Sequence, residues 1–264
     1  MKHDHKTHQD LIAEITEKAD VKSATLPAGF AEREAVYKEA LDNIISDLAD
    51  YEASRTIWDC SKEKTQSIFA KDNMILLRPV NSGDAVFYVD VRMQYSMMYR
   101  SIVGTEPCRK ESLFLMDLCK PESFYCVIES SEKHTPLGYI GIKDTSLEAW
   151  EIAIELDKRY THQGRGPQSI RLFLKEIRRI TGHTEFQALI DPDNYSSQKC
   201  FERLGAEVVG LHDSVFLRTS KDQERFEEEH LHLIDDRMIA LAERINVEPR
   251  KLLSHVLDYR LTIS

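Results

Sequence analysis

The sequence predicts an α+β fold, with a mixed and mostly antiparallel central sheet flanked by helices and with N-terminal and C-terminal helical extensions. Two observations carry this prediction. Residues 124–129 and 137–143 are strand-like runs separated by a polar loop, which is typical of an antiparallel pair. Residues 150–157 then alternate apolar and polar side chains, and residues 170–177 place apolar residues three or four positions apart. A strand, a glycine-containing turn and a helix are therefore expected between Trp150 and Ile180.

Composition narrows the class of protein. The 264 residues are 42% hydrophobic and 30% charged, which is typical of a soluble globular chain. The net charge of −10 argues against nucleic acid as a partner and favours a cationic acceptor. No apolar run approaches the roughly 18 residues of a membrane helix, and the polar start does not resemble a signal peptide. The five cysteines are odd in number and lack CxxC spacing, so we expect reduced thiols, a cytoplasmic location and no metal site.

Residues 1–70 are predicted to form an N-terminal helical extension. Residues 7–21 suggest a short helix and residues 31–53 a stronger one. The second helix carries a narrow apolar seam of Tyr37, Leu41, Ile44, Leu48 and Tyr51. This seam packs on the next domain or forms the contact of a homodimer, and the pattern does not decide between the two.

Residues 71–220 are predicted to form the main domain. It begins with a strand at residues 74–79, and Asp84 is expected to cap a helix that runs to about Tyr95. A further helix is expected at residues 109–119. Later elements are a strand at residues 185–190, a helix that starts at Ser196 or Ser197 and ends at Gly205, and closing strands at residues 208–209 and 215–218.

Residues 221–264 are predicted to be a C-terminal helical extension that is helical to its end. One apolar face precedes Pro249 and another follows it; the members are Phe226, Ile234, Met238, Leu241 and Ile245, then Leu252, Leu253, Val256 and Leu257. The extension covers the main domain or serves as an oligomer or partner surface, and both interpretations stay open.

The turn at residues 163–166 is the first candidate site. A glycine turn that opens a helix presents bare backbone N–H groups, which bind phosphate. Its residues resemble the acetyl-CoA-binding motif of the GNAT acetyltransferase superfamily, Gln/Arg-x-x-Gly-x-Gly/Ala. One register is Gln163-x-x-Gly166-x-Gln168, with Gln168 in place of Gly or Ala. The other, Thr161-x-x-Gly164-x-Gly166, keeps both glycines but lacks the leading Gln.

A second segment, from Asp193 to Ala206, resembles the late motif of the same superfamily, Asn-x-x-Ser/Ala-x-x-x-Tyr/Phe-Glu-Lys-Leu-Gly-Phe. The likeness covers about residues 74–220 and is nearest to the branches that act on ribosomal proteins and small molecules. It implies an acetyl-CoA-dependent N-acetyltransferase that moves an acetyl group to a primary amine by direct attack. The alternative is a catalytically weakened acyl-CoA-binding module with a regulatory or assembly role, which the departures at Gln168 and Phe201 favour.

The resemblance also implies which residues bind acetyl-CoA. The turn and the start of its helix would hold the pyrophosphate, the preceding strand would hold the thioester arm through its backbone, and the late motif would contact the arm. These residues are Gln163, Gly164, Arg165, Gly166, Pro167, Gln168 and Ser169 for the pyrophosphate, Ile154, Glu155 and Leu156 for the arm, and Asn194 and Phe201 in the late motif.

Catalytic candidates follow from the same comparison. Glu151 and Glu155 share the polar face of the strand, and Glu151 lies near the place where the family often has a basic carboxylate. His162 is a further candidate base. The position of the family's tyrosine acid is occupied by Phe201, so Tyr195 is the nearest alternative acid, and Asn194 is expected to bind the cofactor arm or a water.

Overall fold

The computed structural model describes residues 68–95, 122–214, 217 and 219–263. The predicted helices at residues 7–21, 31–53 and 109–119 therefore lie outside the described residues, as does the seam on the second of them. The described residues divide into two compact units, one with residues 68–95, 122–143 and 154–165, the other with the described residues from 144–153 and from 166 onward.

The first unit contains the strands β1-β2-β3-β4, whose neighbours pair antiparallel, and the end of β5, which follows β4 in the order of the sheet. The strands are β1 (Ala70–Lys71), β2 (Ile75–Pro79), β3 (Phe124–Ser130), β4 (Pro136–Asp144) and β5 (Trp150–Leu156). A 3₁₀ turn (Ser82–Asp84) and helix α1 (Ala85–Met93) follow β2. The predicted antiparallel pair is confirmed, because β3 and β4 align Cys126 with Ile140.

A buried ionic cluster links three elements of the first unit. The Arg78 guanidinium contacts Asp84 through Nη1 and Nη2 at 2.8 and 2.7 Å, and its Nε donates to Glu129 at 2.7 Å. Asp84 stands at the N-cap position of α1 as expected, but its side chain makes no capping hydrogen bond. The prediction of an Asp84 cap is thus wrong in its chemistry, because the carboxylate pairs with Arg78 instead.

The second unit continues from β5 in the order β5-β6-β8-β7. Its strands are β6 (Glu185–Ile190), β7 (Glu207–Asp213) and β8 (His255–Thr262). Its helices are α2 (Arg165–Thr181, whose first residue lies in the other unit), α3 (Tyr195–Glu202), α4 (Ser220–Glu229) and α5 (Asp236–Ile245). β5 and β6 run parallel, whereas β6–β8 and β7–β8 are antiparallel. The predicted α+β class with a mostly antiparallel sheet is confirmed.

Helix α2 buries the apolar face that the spacing of its residues predicts. Its apolar residues Ile170, Phe173 and Leu174 are fully buried, and Ile177 is 5% exposed. Trp150 of β5 stacks on His183, just after the helix, with 4.0 Å between the ring centroids. The strand–turn–helix prediction for residues 150–180 is confirmed.

The end of the chain departs from the prediction. His255–Thr262 is strand β8, not helix, and it pairs with both β6 and β7. Of residues 215–218, which were predicted to form a closing strand, the structure describes Leu217 alone, and it lies outside any strand. Along the chain, helices α4 and α5 come after β7 and before β8. The helical segment is therefore an insertion between two strands rather than a tail.

Candidate functional site

The glycine turn leads directly into α2. Gly164 has φ of 75°, in the left-handed region that favours glycine, and the helix begins at the next residue. Because the first four N–H groups of a helix have no acceptor within it, the start of this 17-residue helix directs backbone donors and its positive end toward the turn. Pro167 lacks an N–H, but it lies in the first turn, where proline is tolerated.

The loop before the turn is held by Asp157. Its carboxylate accepts the Arg159 backbone N–H at 2.9 Å and pairs with the Arg159 guanidinium at 2.7 Å. Its own N–H donates to the Leu137 carbonyl at 2.8 Å. Further along, the Gln163 side chain donates to the Arg159 carbonyl at 3.1 Å. Asp157 thus anchors the segment between β5 and α2.

Two cations lie near one aromatic ring in this loop. The guanidinium carbons of Arg159 and Arg165 are 5.4 and 5.3 Å from the Tyr160 ring centroid. Such contacts reduce the side-chain freedom of arginine. The loop therefore presents Arg165 in a defined position beside the start of α2.

Replacing Asp157 with asparagine is expected to reduce stability in a pH-dependent way. Hydrogen bonds from Arg159 lower the pKa of Asp157 to about 2 from 3.8. A carboxyl group whose pKa is lower in the folded than in the unfolded state stabilises the fold at pH values above its unfolded-state pKa. This contribution to the free energy of unfolding disappears as the pH falls from about 4 to about 2. Since the Arg159 side chain is 72% exposed, we expect a difference of about 1 kcal/mol at pH 7.

Urea unfolding of the parent and of Asp157→Asn at pH 7 and at pH 2.5 measures this difference. Asp193→Asn, which changes an exposed acid, is the matched control. A difference of equal size at both pH values would contradict the assignment to the Arg159 contact.

Gly164 and Gly182 offer a matched pair at the two ends of α2. Both have φ of 75° and open space where a Cβ would lie. Alanine at either position is expected to cost about 1 kcal/mol, because left-handed backbone strains an L-residue. Gly164→Ala should also raise the KM for acetyl-CoA by about tenfold through misplaced N–H donors, whereas Gly182→Ala should leave it unchanged. Equal KM values for the two variants would contradict a binding role for the turn.

Glu155 at the end of β5 is engaged by α1. Its Oε1 pairs with Nη1 of Arg92, while its buried Oε2 accepts no hydrogen bond from the described residues. The Tyr95 hydroxyl donates to the adjacent Leu156 carbonyl at 2.6 Å, and Gln94 accepts the Lys158 N–H at 2.8 Å. The C-terminal end of α1 thus clamps the end of β5, and one Glu155 oxygen is already committed to a guanidinium.

Glu151 lies at the start of the same strand, in the second unit. It is half-buried and is aligned with Gln187 in the parallel pairing of β5 with β6. That pairing covers Trp150 and Glu151, whereas β6 pairs with β8 over six residues. The backbone of Ile152 and Ala153 therefore continues beyond the last parallel pair.

The late motif begins with a capped helix. The Asn194 side chain accepts the Ser197 N–H at 3.1 Å, so α3 begins at Tyr195 and not at Ser196 or Ser197. The Tyr195 hydroxyl donates to Asp235 at 3.2 Å, and the Arg237 guanidinium lies 5.1 Å from its ring centroid. Burial, followed by the Asp235 charge, raises the pKa of Tyr195, which makes its hydroxyl a weaker acid.

Cys200 and Phe201 lie near the C-terminal end of α3. Phe201 is 3% exposed and belongs to the core of the second unit. Burial raises the pKa of the Cys200 thiol to about 11, so its thiolate is scarce near neutral pH. This disfavours a covalent acyl-cysteine route.

Three residues at these sites were missed from the sequence, namely Arg92, Tyr160 and Asp235. Arg92 and Asp235 act on residues 63 and 40 positions away, and no local pattern reports such contacts. Tyr160 had a signal, because Arg159 and Arg165 flank it in the sequence. His162 is exposed with φ of 58°, and none of the described residues makes a contact that would activate it as a base.

Within the described ranges, no three His, Cys, Asp or Glu side chains gather in a way that could hold a metal ion. No described helix has the length and apolar content needed to cross a membrane.

Comparison with known proteins identifies the domain. The family model described as an acetyltransferase (GNAT) domain matches residues 74–207, which is half of the chain. A search of curated proteins finds no match.

Solved structures share the fold. A ribosomal L7/L12 α-N-protein acetyltransferase in complex with coenzyme A superposes with a TM-score of 0.51 at 13% identity, over 75% of this chain and 98% of that one. A chimera of the Vibrio cholerae spermidine N-acetyltransferase and hSSAT gives a TM-score of 0.50 at 12% identity, over 72% and 95% of the two chains. At these identities the likeness concerns the fold.

Proposed function

The chain belongs to the GNAT acetyltransferases, and we propose that it moves the acetyl group of acetyl-CoA to a primary amine by direct attack of the amine on the thioester. The observation that carries this proposal is the left-handed Gly164 followed at once by the 17-residue helix α2 inside the family domain. The carbonyl carbon forms a bond to the amine nitrogen and loses its bond to sulfur, and the amine's extra proton passes to a base.

The donor set fits the phosphates of coenzyme A. Backbone N–H groups of Gly164 and of the first turn of α2, to which Pro167 contributes none, together with the positive end of α2, bind phosphate oxygens without needing a particular side chain. Arg165 adds a full positive charge beside them, and Gln163 shapes the loop through its bond to Arg159. The departure at Gln168 leaves this set intact, because the binding groups belong to the backbone.

The thioester arm is assigned to the backbone of β5 at Ile154, Glu155 and Leu156, with Asn194 and Phe201 as the late-motif contacts. The clamp from α1 supports this assignment, because Tyr95 and Arg92 hold the strand end in one position. A fixed strand orients the reacting carbonyl, and orientation is a large part of the rate advantage of bound reactants.

Glu151 is the proposed base. The amine must lose a proton to attack, and a half-buried carboxylate can accept that proton directly or through water. Glu155 is the weaker candidate because Arg92 occupies its Oε1. The site would therefore separate the two glutamates by role, with Glu155 holding the strand and Glu151 moving the proton.

The departing thiolate needs little help. A thiol with an ordinary pKa of about 8.5 is a tolerable leaving group near neutral pH. Tyr195 remains the nearest candidate acid in the sequence, but its hydroxyl is donated to Asp235. We therefore assign protonation of the sulfur to the amine's own proton or to solvent.

Release of free thiol from acetyl-CoA with a panel of primary amines, followed by mass spectrometry of the acetylated amine, tests the function. The expected result is amine-dependent thiol release with a matching gain of one acetyl group. Tight acetyl-CoA binding with no turnover on any amine would overturn the enzyme assignment. It would favour the acyl-CoA-binding module, to which Phe201 already points by lacking a hydroxyl.

A further inference from the structure

A cleft of about 530 Å³ opens in the second unit, at the C-terminal ends of α3 and α5. Ten residues line it: Glu202, Ala206, Glu207, Val208, Val209, Gly210, Arg244, Ile245, Asn246 and Tyr259. Asn194 caps the opposite end of α3, about 12 Å away along the eight-residue helix. None of the residues proposed for acyl transfer lines the cleft, although Phe201 is the sequence neighbour of Glu202, and the size of the cleft suits a small organic ligand.

The polar groups of the cleft favour a cation. Oε1 of Glu202 accepts the Tyr259 hydroxyl at 3.2 Å and pairs with Arg244 at 3.0 Å. Within the described part of the chain, Oε2 of Glu202 and the exposed Glu207 carboxylate make no hydrogen bond or ion pair, so both can accept one. The last carbonyls of α5, near Asn246, add about half a negative charge.

The apolar part of the cleft has room for a hydrocarbon chain. Val209 is the extra residue of a bulge in β7 and is 60% exposed. A Cβ built on Gly210 meets no atom within 4 Å, and its φ is outside the left-handed region. With Val208 and Ile245 also in the lining, one side of the cleft is apolar and the other is acidic.

We propose that this cleft binds a primary alkylammonium ion, with the ammonium group at Glu202 and Glu207 and the alkyl chain against Val208, Val209 and Ile245. Arg260, which is aligned with Glu207, does not neutralise the site, because its guanidinium is bound to Asp258 at 2.9 and 3.0 Å. The charged groups that remain at the cleft are one arginine, two glutamates and the negative end of a helix. The cleft therefore carries a net negative charge.

The cleft is connected to the start of the late motif by two parallel helices. Tyr195 at the start of α3 bonds Asp235 at the start of α5, and Glu202 at the end of α3 pairs with Arg244 at the end of α5. A ligand that donates hydrogen bonds to Glu202 competes with Arg244 for this carboxylate, so it weakens the second contact and leaves the first to hold the helices. Occupancy of the cleft would therefore change how firmly Tyr195, next to Asn194, is held.

Calorimetric titration with n-butylammonium chloride, without acetyl-CoA, tests the site. Butanol and butyrate are the neutral and anionic controls, and neither is expected to bind. Gly210→Leu fills the cleft without straining the backbone and should raise the Kd for n-butylammonium at least about tenfold, as should Glu207→Gln, which removes a charged acceptor. Both variants should keep the parent Tm and the parent affinity for acetyl-CoA.

Glu151→Gln distinguishes this site from the acceptor site. If binding persists in Gly210→Leu and is lost in Glu151→Gln, the amine binds at the acyl-transfer residues and the proposed cleft site is wrong. Equal affinity for butylammonium and butanol would also overturn it. Neither outcome bears on acetyl transfer, which the thiol-release assay measures independently.

Discussion

Replacing Gly166 with valine is expected to lower kcat/KM for acetyl-CoA by about 100-fold, since displacements near 1 Å at a binding site have effects of this size. Gly166 is the second residue of α2, where backbone N–H groups have no partner within the helix. A β-branched side chain at this position would keep phosphate oxygens away from those groups. Steady-state kinetics, with calorimetry for the Kd of acetyl-CoA, measures the effect.

Lys175→Val is the control for this prediction. It places the same β-branched residue on an exposed position of the same helix, so it carries a similar helix-propensity cost without approaching the turn. Unchanged acetyl-CoA affinity in Gly166→Val would exclude the turn as the pyrophosphate site.

Replacing Glu151 with glutamine is expected to lower amine-dependent kcat by about 10²–10⁴-fold, because removal of a general base has effects in this range. Acetyl-CoA should bind with parental affinity, since the side chain is not assigned to the donor. The loss should be smaller at high pH, where more of the amine is neutral without a base. Rates of thiol release from pH 6 to pH 10 report both effects.

Glu148→Gln, an exposed glutamate three residues earlier, is the matched control. Glu155→Gln provides a second comparison, and because it removes the ionic contact with Arg92 we expect a lower Tm rather than a loss confined to kcat. If Glu151→Gln retained the parental rate at every pH, the base would have to be Glu155, His162 or water.

Much of the fold could be predicted because its elements have regular local patterns. Strand β6 was predicted with its observed bounds, Glu185–Ile190, and β3 and β4 to within two residues. The buried stripe of α2 followed from apolar residues spaced three or four apart. These features depend on neighbours in the chain, so the sequence reports them directly.

Strand β8 was missed for a specific reason. Leu252, Leu253, Val256 and Leu257 match a helical spacing, but the same segment also contains a second pattern. Leu257, Tyr259 and Leu261 alternate with polar neighbours and are all less than 5% exposed, which is the period of a strand. Strand β8 is stabilised by its pairing with β6 on one side and β7 on the other. These partners are at least 40 residues away in the sequence.

The amino-acid pattern alone was sufficient for the identity of the domain, because the glycine turn and the late motif are short segments with characteristic residues. The partners of individual side chains required the tertiary structure. Arg92 reaches Glu155, Asp235 reaches Tyr195, and Arg244 reaches Glu202, across separations of 63, 40 and 42 positions. Such contacts depend on how elements distant in the sequence pack against each other. No local sequence pattern indicates which charged side chains this packing will bring together.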